Sequence, residues 1–251
     1  MKNPILVTGG TGRLGRALVP RLVSAGHSVR VLSRHPQASA DEPSPATMRR
    51  GDLLTGDGLT DALSDVDTII HCATGNGRSD IHGTRQLVTA AEKTGRPHLI
   101  YMSIVGIDRV DLPYYRAKLA CERLLEDADL PVTIQRATQF HELIIRMCTV
   151  QRWLPAIVMP AGVSFQPIDT GEVAARLTDL ASASPADRAP DMGGPEIRVA
   201  ADLARSYARH RSLRRPVLPI PLPGLRGFRA GGHLTPDHAV GRVTFDQFLA
   251  S

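Results

Sequence analysis

The sequence is poor in cysteine, with three copies in 251 residues. Cys72, Cys121 and Cys148 are scattered and form no CxxC pair. An odd number of isolated cysteines indicates neither a disulfide framework nor a cysteine metal site, and it is typical of a reducing compartment. We therefore expect a cytoplasmic protein.

Long hydrophobic runs are also missing from the amino terminus. Lys2 is followed by a short apolar run that ends at Thr8 and two glycines. That run is too brief for the core of a signal peptide or for a membrane span, so we expect a soluble protein that does not contact membranes. A hydrophobic content of 42% with 22% charged residues is ordinary for a globular protein and excludes disordered and fibrous classes.

Lysine is also scarce. The net charge is +5, and almost all of the basic residues are arginine. Seven arginines between residues 205 and 229 could indicate contact with nucleic acid. Acidic residues are well mixed into the rest of the chain and no binding motif accompanies these arginines, which favours a solvated surface. We expect a small-molecule substrate and no nucleic-acid partner, and the oligomeric state stays open.

Short apolar segments alternate with helical periodicity through the first half of the chain. Strands are predicted at residues 5–7, 27–34, 46–53, 66–74, 98–106 and 131–137. Strands that alternate with helices predict an α/β fold with a doubly wound parallel (Rossmann) sheet. The alternation ends near residue 138, and seven prolines lie between residues 185 and 223. We predict a dinucleotide-binding core at 1–138 and a small substrate-binding lobe at 139–251, packed as one integrated domain.

The stretch ILVTGGTGRLG, residues 5–15, places glycines between the first strand and a helix with Leu14, Leu18 and Leu22 on one face. Glycines at such a turn let a pyrophosphate approach the backbone at the positive end of the helix dipole. No Gly-Lys-Ser/Thr follows, which excludes a Walker-type phosphate loop. The residues predicted to bind a dinucleotide here are Gly9, Thr11, Gly12, Arg13, Leu14 and Gly15.

The second strand ends Leu32-Ser33-Arg34, without the acid that would bind an unmodified ribose. Arg34 can instead form charge-assisted hydrogen bonds to a 2′-phosphate, and Arg13 could reach the same group. The sequence therefore favours NADP(H) over NAD(H).

Tyr114 and Lys118 are four residues apart on a predicted helix, so they share one face. An ammonium near a phenol lowers the phenol pKa and makes the tyrosine a usable proton donor and acceptor. Ser103 ends the fifth strand, at the carboxyl edge where doubly wound sheets bind ligands, and could polarise a substrate carbonyl or satisfy backbone groups.

The segments TGGTGRLG, GDL, HCAT, YMSIVGID and PYYRAKLACE together resemble the short-chain dehydrogenase/reductase superfamily, specifically its atypical NmrA-like branch. The resemblance implies NADP(H) on the glycine turn and Arg34. It also implies adenine near Asp52 and Leu53, and ribose or nicotinamide near Ala73, Thr74 and Lys118. In dehydrogenases of the superfamily, the residues that match Ser103, Tyr114 and Lys118 bind the carbonyl, transfer the proton and hold the ribose.

These observations predict an NADPH-dependent reductase of a small carbonyl compound or quinone. A non-catalytic protein that senses NADP(H) is the alternative, and sugar-nucleotide epimerisation or dehydration ranks last because little chain remains for a nucleotide-sugar lobe. HELII at 141–145 lacks the second histidine of HExxH, and GVSFQ at 162–166 lacks the last glycine of a nucleophile elbow. We therefore expect no metal site and no hydrolase triad.

Overall fold

The computed structural model of the protein describes residues 3–35, 46–75 and 77–251. Contacts between these residues divide the chain into two compact units. The first contains the described residues of Met1–Ser103, Leu112–Gln135 and Val173–Ala189, and the second contains Ile104–Asp111, Arg136–Glu172 and Pro190–Ser251. Each unit therefore contains several separate segments of the chain, and a domain boundary after residue 138 stays a prediction.

The first half of the chain alternates strands and helices as the periodicity predicts. The strands are β1 (Ile5–Thr8), β2 (Val29–Ser33), β3 (Ala46–Arg50), β4 (Thr68–His71), β5 (His98–Ile104) and β6 (Val132–Ala137). The helices are α1 (Arg13–Ser24), α2 (Leu59–Leu63), α3 (Arg78–Lys93) and α4 (Pro113–Glu126). Every residue of β1, β4 and β6 is buried, as expected of parallel strands that helices cover on both faces.

The second half adds shorter elements. They are α5 (His141–Thr149), β7 (Ile157–Pro160), β8 (Ser164–Phe165), α6 (Thr170–Ala181), β9 (Asp187–Arg188), β10 (Arg198–Val199), α7 (Ala200–His210), β11 (Val217–Ile220), α8 (Arg226–Arg229) and α9 (Phe245–Ala250). In the second unit β8 pairs with β10 and β7 pairs with β11, so the described part of that unit holds two two-stranded sheets. Its apolar core includes Ile144, Ile157, Leu203 and Phe245.

The main sheet has seven strands in the order β3-β2-β1-β4-β5-β6-β9. The strand order reverses between β1 and β4, which are hydrogen-bonded to each other in parallel from Ile5↔Thr68 to Thr8↔His71. This topology confirms the predicted doubly wound α/β fold with a smaller C-terminal lobe. Ligands of such sheets bind in the crevice beyond the carboxyl ends of the strands at this reversal, which here lies beside the turns after β1 and β4.

Apolar side chains from the sheet and its helices form a core cluster in the first unit. The largest fully buried members include Leu6, Leu63, Ile69, Leu87 and Leu99. Within the described residues, no helix has the length and apolar character needed to cross a membrane.

Candidate functional site

Two glycines allow close packing around the turn that follows β1. Gly9 has a φ of +69°, and a Cβ added there would lie 2.6 Å from the backbone nitrogen of Ala73. A Cβ on Gly15, in the first turns of α1, would lie 2.3 Å from the carbonyl oxygen of Gly9. Because no side chain fits at either position, both glycines are required for the approach of β1, α1 and the segment after β4.

Gly12 has a different role, because its φ of −76° is ordinary and, in the described part of the chain, a Cβ there would meet only the Gly9 oxygen, at 3.1 Å. It is the N-cap of α1, a helix with no side-chain capping bond and no acidic residue in its first turn. The first amide groups of a helix lack helical partners and favour an anion. The turn therefore fits a phosphate group. Its exposed residues are Thr11, Gly12 and Arg13, and its buried residues are Leu14 and Gly15.

The cationic residues predicted to read a 2′-phosphate are both exposed. Arg34 follows β2 directly, and Arg13 is the first residue of α1. Among the described residues, neither guanidinium has an ion-pair partner. Both charges are therefore free of competition from the described carboxylates.

Asp52 and Leu53 form the turn after β3. The Asp52 Oδ1 atom accepts a hydrogen bond of 2.8 Å from the Leu54 amide, which closes the turn. Leu53 packs against the apolar core, and a Cβ on Gly83 in α3 would lie 3.2 Å from the Leu53 Cβ. The contact with α3 fixes the place of the segment to which the family resemblance assigns the adenine.

A buried polar chain connects the ends of β1 and β4. The Thr8 Oγ1 atom lies 2.6 Å from His71 Nδ1 and accepts a 3.3 Å hydrogen bond from the Ala73 amide. His71 Nε2 lies 3.2 Å from the Thr84 hydroxyl on α3. These bonds hold Ala73 against Gly9 and so determine where Thr74 leaves the sheet.

Burial lowers the pKa of His71 to about 3, with a smaller contribution from the charge of Lys118. Burial also lowers the pKa of His233, in the second unit, to about 4. Unfolded histidine titrates near 6.5, so between that value and the folded pKa the unfolded chain binds more protons. Stability is therefore full above about pH 6.5 and is lost as pH falls toward the folded values.

We expect the free energy of unfolding to fall by about 2 kcal/mol for each of these two histidines between pH 7.5 and pH 5. Urea denaturation at the two pH values measures the change. His71→Asn should reduce the pH-dependent loss, whereas the same substitution at exposed His210 should leave it intact. Equal pH dependence in all three proteins would contradict the assignment to His71.

Thr74 and Tyr114 lie together at the carboxyl edge of the sheet. The Tyr114 hydroxyl is 3.0 Å from the Thr74 Oγ1 atom, which is itself 3.0 Å from Asp80 Oδ2. Tyr114 is the second residue of α4, and its side chain is 36% exposed. Thr74 follows Ala73, so one residue connects the glycine turn to the partner of the phenol.

The structure does not pair Tyr114 with Lys118. Lys118 is buried, its Nζ atom donates a 3.3 Å hydrogen bond to the Met102 carbonyl, and it lies 4.7 Å from the centre of the Tyr101 ring. Burial lowers the pKa of Lys118 and raises the pKa of Tyr114. The shift of Tyr114 is thus opposite to the one predicted from the Tyr-Lys spacing, because burial has the largest effect.

Ser103 is 1% exposed and lies near the end of β5. Among the described residues, its hydroxyl oxygen has no hydrogen-bond partner. A buried hydroxyl without a partner costs stability, which is typical of a group retained for another purpose. Its role in carbonyl binding stays a prediction.

A family model described as NAD(P)H-binding matches residues 9–142, a span that runs from the glycine turn through Tyr114 and Lys118. The chain belongs to the NAD(P)H-binding family. The predicted membership of the atypical short-chain dehydrogenase/reductases is confirmed, and the NmrA-like branch stays a prediction. The family therefore supports NAD(P)H as the dinucleotide, and its binding at the glycine turn stays a prediction.

Two relatives illustrate the range of proteins that share this sequence pattern. An uncharacterized protein of Mycobacterium tuberculosis is 31% identical over 229 residues, which cover 88% of this chain and 24% of the relative. The photosystem II assembly factor Ycf39 of Synechocystis is 28% identical over 150 residues, which cover 56% of this chain and 46% of that protein. The chain thus spans about a quarter of the first relative and just under half of the second.

Solved structures with the same fold match nearly the whole length of this chain. The NADPH-dependent quinone oxidoreductase of Escherichia coli, solved with NADPH, has a TM-score of 0.85 at 18% identity and covers 98% of both chains. A nucleoside-diphosphate-sugar epimerase of Staphylococcus aureus has a TM-score of 0.82 at 14% identity, covering 99% of this chain and 100% of that one. At such identities the likeness establishes the fold and leaves the chemistry to the residues themselves.

Sequence reasoning missed three side chains at this edge of the sheet: Thr8, His71 and Asp80. Thr8 and His71 stand at the ends of buried strands, where polar residues at adjacent carboxyl ends could have indicated a shared site. Asp80 lies six residues beyond Thr74 in a helix, and no spacing rule connects the two. Only the fold brings its carboxylate to the Thr74 hydroxyl.

Proposed function

We propose that this protein is an NADPH-dependent reductase of a small carbonyl compound or quinone. The observation that carries the proposal is the continuity of the phosphate-binding turn with the tyrosine. Gly9 packs on Ala73, Ala73 precedes Thr74, and Thr74 is hydrogen-bonded to a partly exposed Tyr114 hydroxyl. A dinucleotide on the turn and a substrate oxygen at Tyr114 would occupy one continuous site.

Reduction of a carbonyl adds a hydride to its carbon and a proton to its oxygen. A bound reduced nicotinamide would supply the hydride. Tyr114 would donate its hydroxyl proton to the oxygen, and the resulting phenolate would regain a proton from water. The product would be an alcohol, or a hydroquinone when the substrate is a quinone.

Lys118 and Ser103 would position the reactants. The Lys118 ammonium donates to the Met102 carbonyl, its one hydrogen-bond partner among the described residues, and its other N–H donors would bind the ribose of the cofactor. Ser103 has a hydroxyl proton to offer a carbonyl oxygen. Support for NADPH as the cofactor also comes from the NADPH bound to the similar Escherichia coli quinone oxidoreductase.

A non-catalytic NADP(H) sensor is the second candidate. It is favoured by the raised pKa of Tyr114 and by the hydrogen bond that directs Lys118 to Met102. Spectrophotometric NADPH oxidation with a panel of quinones, aldehydes and ketones distinguishes the two. Turnover supports the reductase, whereas tight NADPH binding without turnover of any compound supports the sensor.

The choice of NADPH gives a direct prediction for Arg34. Arg34→Ala should weaken NADPH binding by about 1.5 to 3 kcal/mol, the scale of a hydrogen bond to a charged group, and should leave NADH binding unchanged. Isothermal titration calorimetry with both dinucleotides measures the difference. Arg123→Ala, which removes an exposed arginine from the last turn of α4, is the charge-matched control. Equal affinity of the unmodified protein for NADPH and NADH would refute the assignment.

A further inference from the structure

Asp80 holds the loop that follows β4 with both of its carboxylate oxygens. It is the third residue of α3. Its Oδ2 atom accepts a hydrogen bond of 3.0 Å from the Thr74 hydroxyl, and its Oδ1 atom accepts one from the Gly75 amide. Thr74 therefore lies between a carboxylate and the Tyr114 phenol.

The number of protons determines the direction of these hydrogen bonds. An aspartate carboxylate is ionised at neutral pH and only accepts, whereas a threonine hydroxyl has a single proton. Thr74 uses that proton in its hydrogen bond to Asp80. The contact of 3.0 Å between the Thr74 and Tyr114 oxygens therefore requires Tyr114 to be the donor. The phenol is thus held in its protonated form.

We propose that Asp80 is a positioning residue that orients the Thr74 hydroxyl and thereby keeps the Tyr114 phenol in the protonated form that donates to the substrate. This inference rests on the proposed reductase function. In that reaction the Tyr114 hydroxyl turns from Thr74 to the substrate oxygen and gives up its proton. Thr74 does not stabilise the phenolate that results, since its hydroxyl stays hydrogen-bonded to the Asp80 carboxylate, so reprotonation from water is favoured.

Other groups also act on the phenol. Asp80 on α3, Tyr101 on β5 and Cys121 on α4 face the Tyr114 phenol. Lys118 lies one turn from Tyr114 on the same helix. The charge of Asp80 raises the pKa of Tyr114, an effect secondary to burial. A hydroxyl that donated a hydrogen bond to the phenolate would lower this pKa, but the Thr74 hydroxyl donates its hydrogen bond to Asp80 instead.

Asp80→Asn tests the proposal with little change in shape. The asparagine oxygen still accepts from Gly75, and its amide donates to Thr74, whose proton is then free for the Tyr114 oxygen. We expect the titration midpoint of Tyr114 to move to lower pH. Nuclear magnetic resonance of the protein labelled with ¹³C at the tyrosine Cζ measures it without cofactor, and Tyr114→Phe identifies the signal. If the protein is active, the alkaline limb of its pH–rate profile should move in the same direction.

Asp61→Asn is the matched control. Asp61 is the exposed third residue of α2, so its substitution removes the same charge from the same helical position. We expect it to leave the Tyr114 midpoint unchanged. A folded Asp80→Asn protein with an unchanged midpoint would overturn the proposal.

Thr74→Val separates the hydrogen-bond route from the charge of Asp80 acting through space. With valine at this position, Asp80→Asn should shift the Tyr114 midpoint much less than it does when Thr74 is present. An equal shift in both backgrounds would show that Thr74 transmits nothing and would contradict the proposal.

If near-ultraviolet circular dichroism shows that Asp80→Asn does not fold, the Tyr114 titration midpoint of Thr74→Val alone tests the proposal. The proposal expects a lower midpoint, because the neutral phenol loses its acceptor, and a higher midpoint would overturn it. Absence of turnover in the unmodified protein would contradict the proposed function and leave the titration result standing by itself.

Discussion

Tyr114→Phe should reduce turnover by about 10² to 10⁴ while NADPH affinity stays the same. The substitution removes the hydroxyl that would donate the proton, and general acid catalysis contributes a factor of this size. The loss of volume is small, and the hydroxyl's hydrogen bond is to Thr74 at a partly exposed position, so the fold should be retained. Steady-state rates with any active substrate, together with calorimetric NADPH affinities, measure the effect.

Tyr115→Phe is the control for this experiment. Tyr115 is the next residue of α4, about 100° around the helix, and its side chain is buried. Its substitution removes the same atom and should leave the rate close to that of the unmodified protein, with at most a loss of stability. Unchanged turnover in Tyr114→Phe would remove Tyr114 from the mechanism.

Gly12→Val should weaken NADPH binding on the order of 100-fold, equivalent to about 3 kcal/mol, without unfolding the protein. The backbone of Gly12 has an ordinary φ, and the nearest atom to an added Cβ is the Gly9 oxygen at 3.1 Å. The valine methyl groups would instead fill space beside the N-terminus of α1 that a pyrophosphate needs. Calorimetry measures the affinity, and circular dichroism verifies the fold.

Gly15→Val provides the contrast. A Cβ at residue 15 would lie 2.3 Å from the Gly9 oxygen, so this substitution should destabilise the turn and lower the melting temperature. The two variants therefore separate a glycine required for packing from one required for binding. Native NADPH affinity in a folded Gly12→Val protein would contradict the phosphate-binding role of the turn.

Five of the first six strands were predictable because each is a short, mostly apolar segment bounded by turn residues, and the third, Ala46–Arg50, is mostly polar. Their ends were less so: the third was predicted at 46–53 but ends at Arg50, and the fourth at 66–74 but covers Thr68–His71. In both places the residues beyond the strand include ones predicted to bind the cofactor. Asp52 closes a turn, and Thr74 bonds to Tyr114.

The seventh strand of the main sheet was not predicted. β9 has two residues, Asp187 and Arg188, both exposed. It pairs with β6 through Thr133↔Asp187 and Ile134↔Arg188. A charged pair of residues carries no strand periodicity, so only backbone hydrogen bonding to β6 made it a strand.

The sequence by itself determined the glycine turn, the parallel α/β order, the NAD(P)H-binding family and the placing of Tyr114 and Lys118 on one helix. These depend on interactions between residues near in the chain, such as a glycine backbone, apolar periodicity and helical spacing. Tertiary structure decided which groups the phenol and the ammonium meet. Strand pairing and helix packing brought Thr74 and Asp80 to Tyr114 and directed Lys118 to Met102. The direction of the Tyr114 pKa shift followed from burial, a property that depends on every element around the side chain.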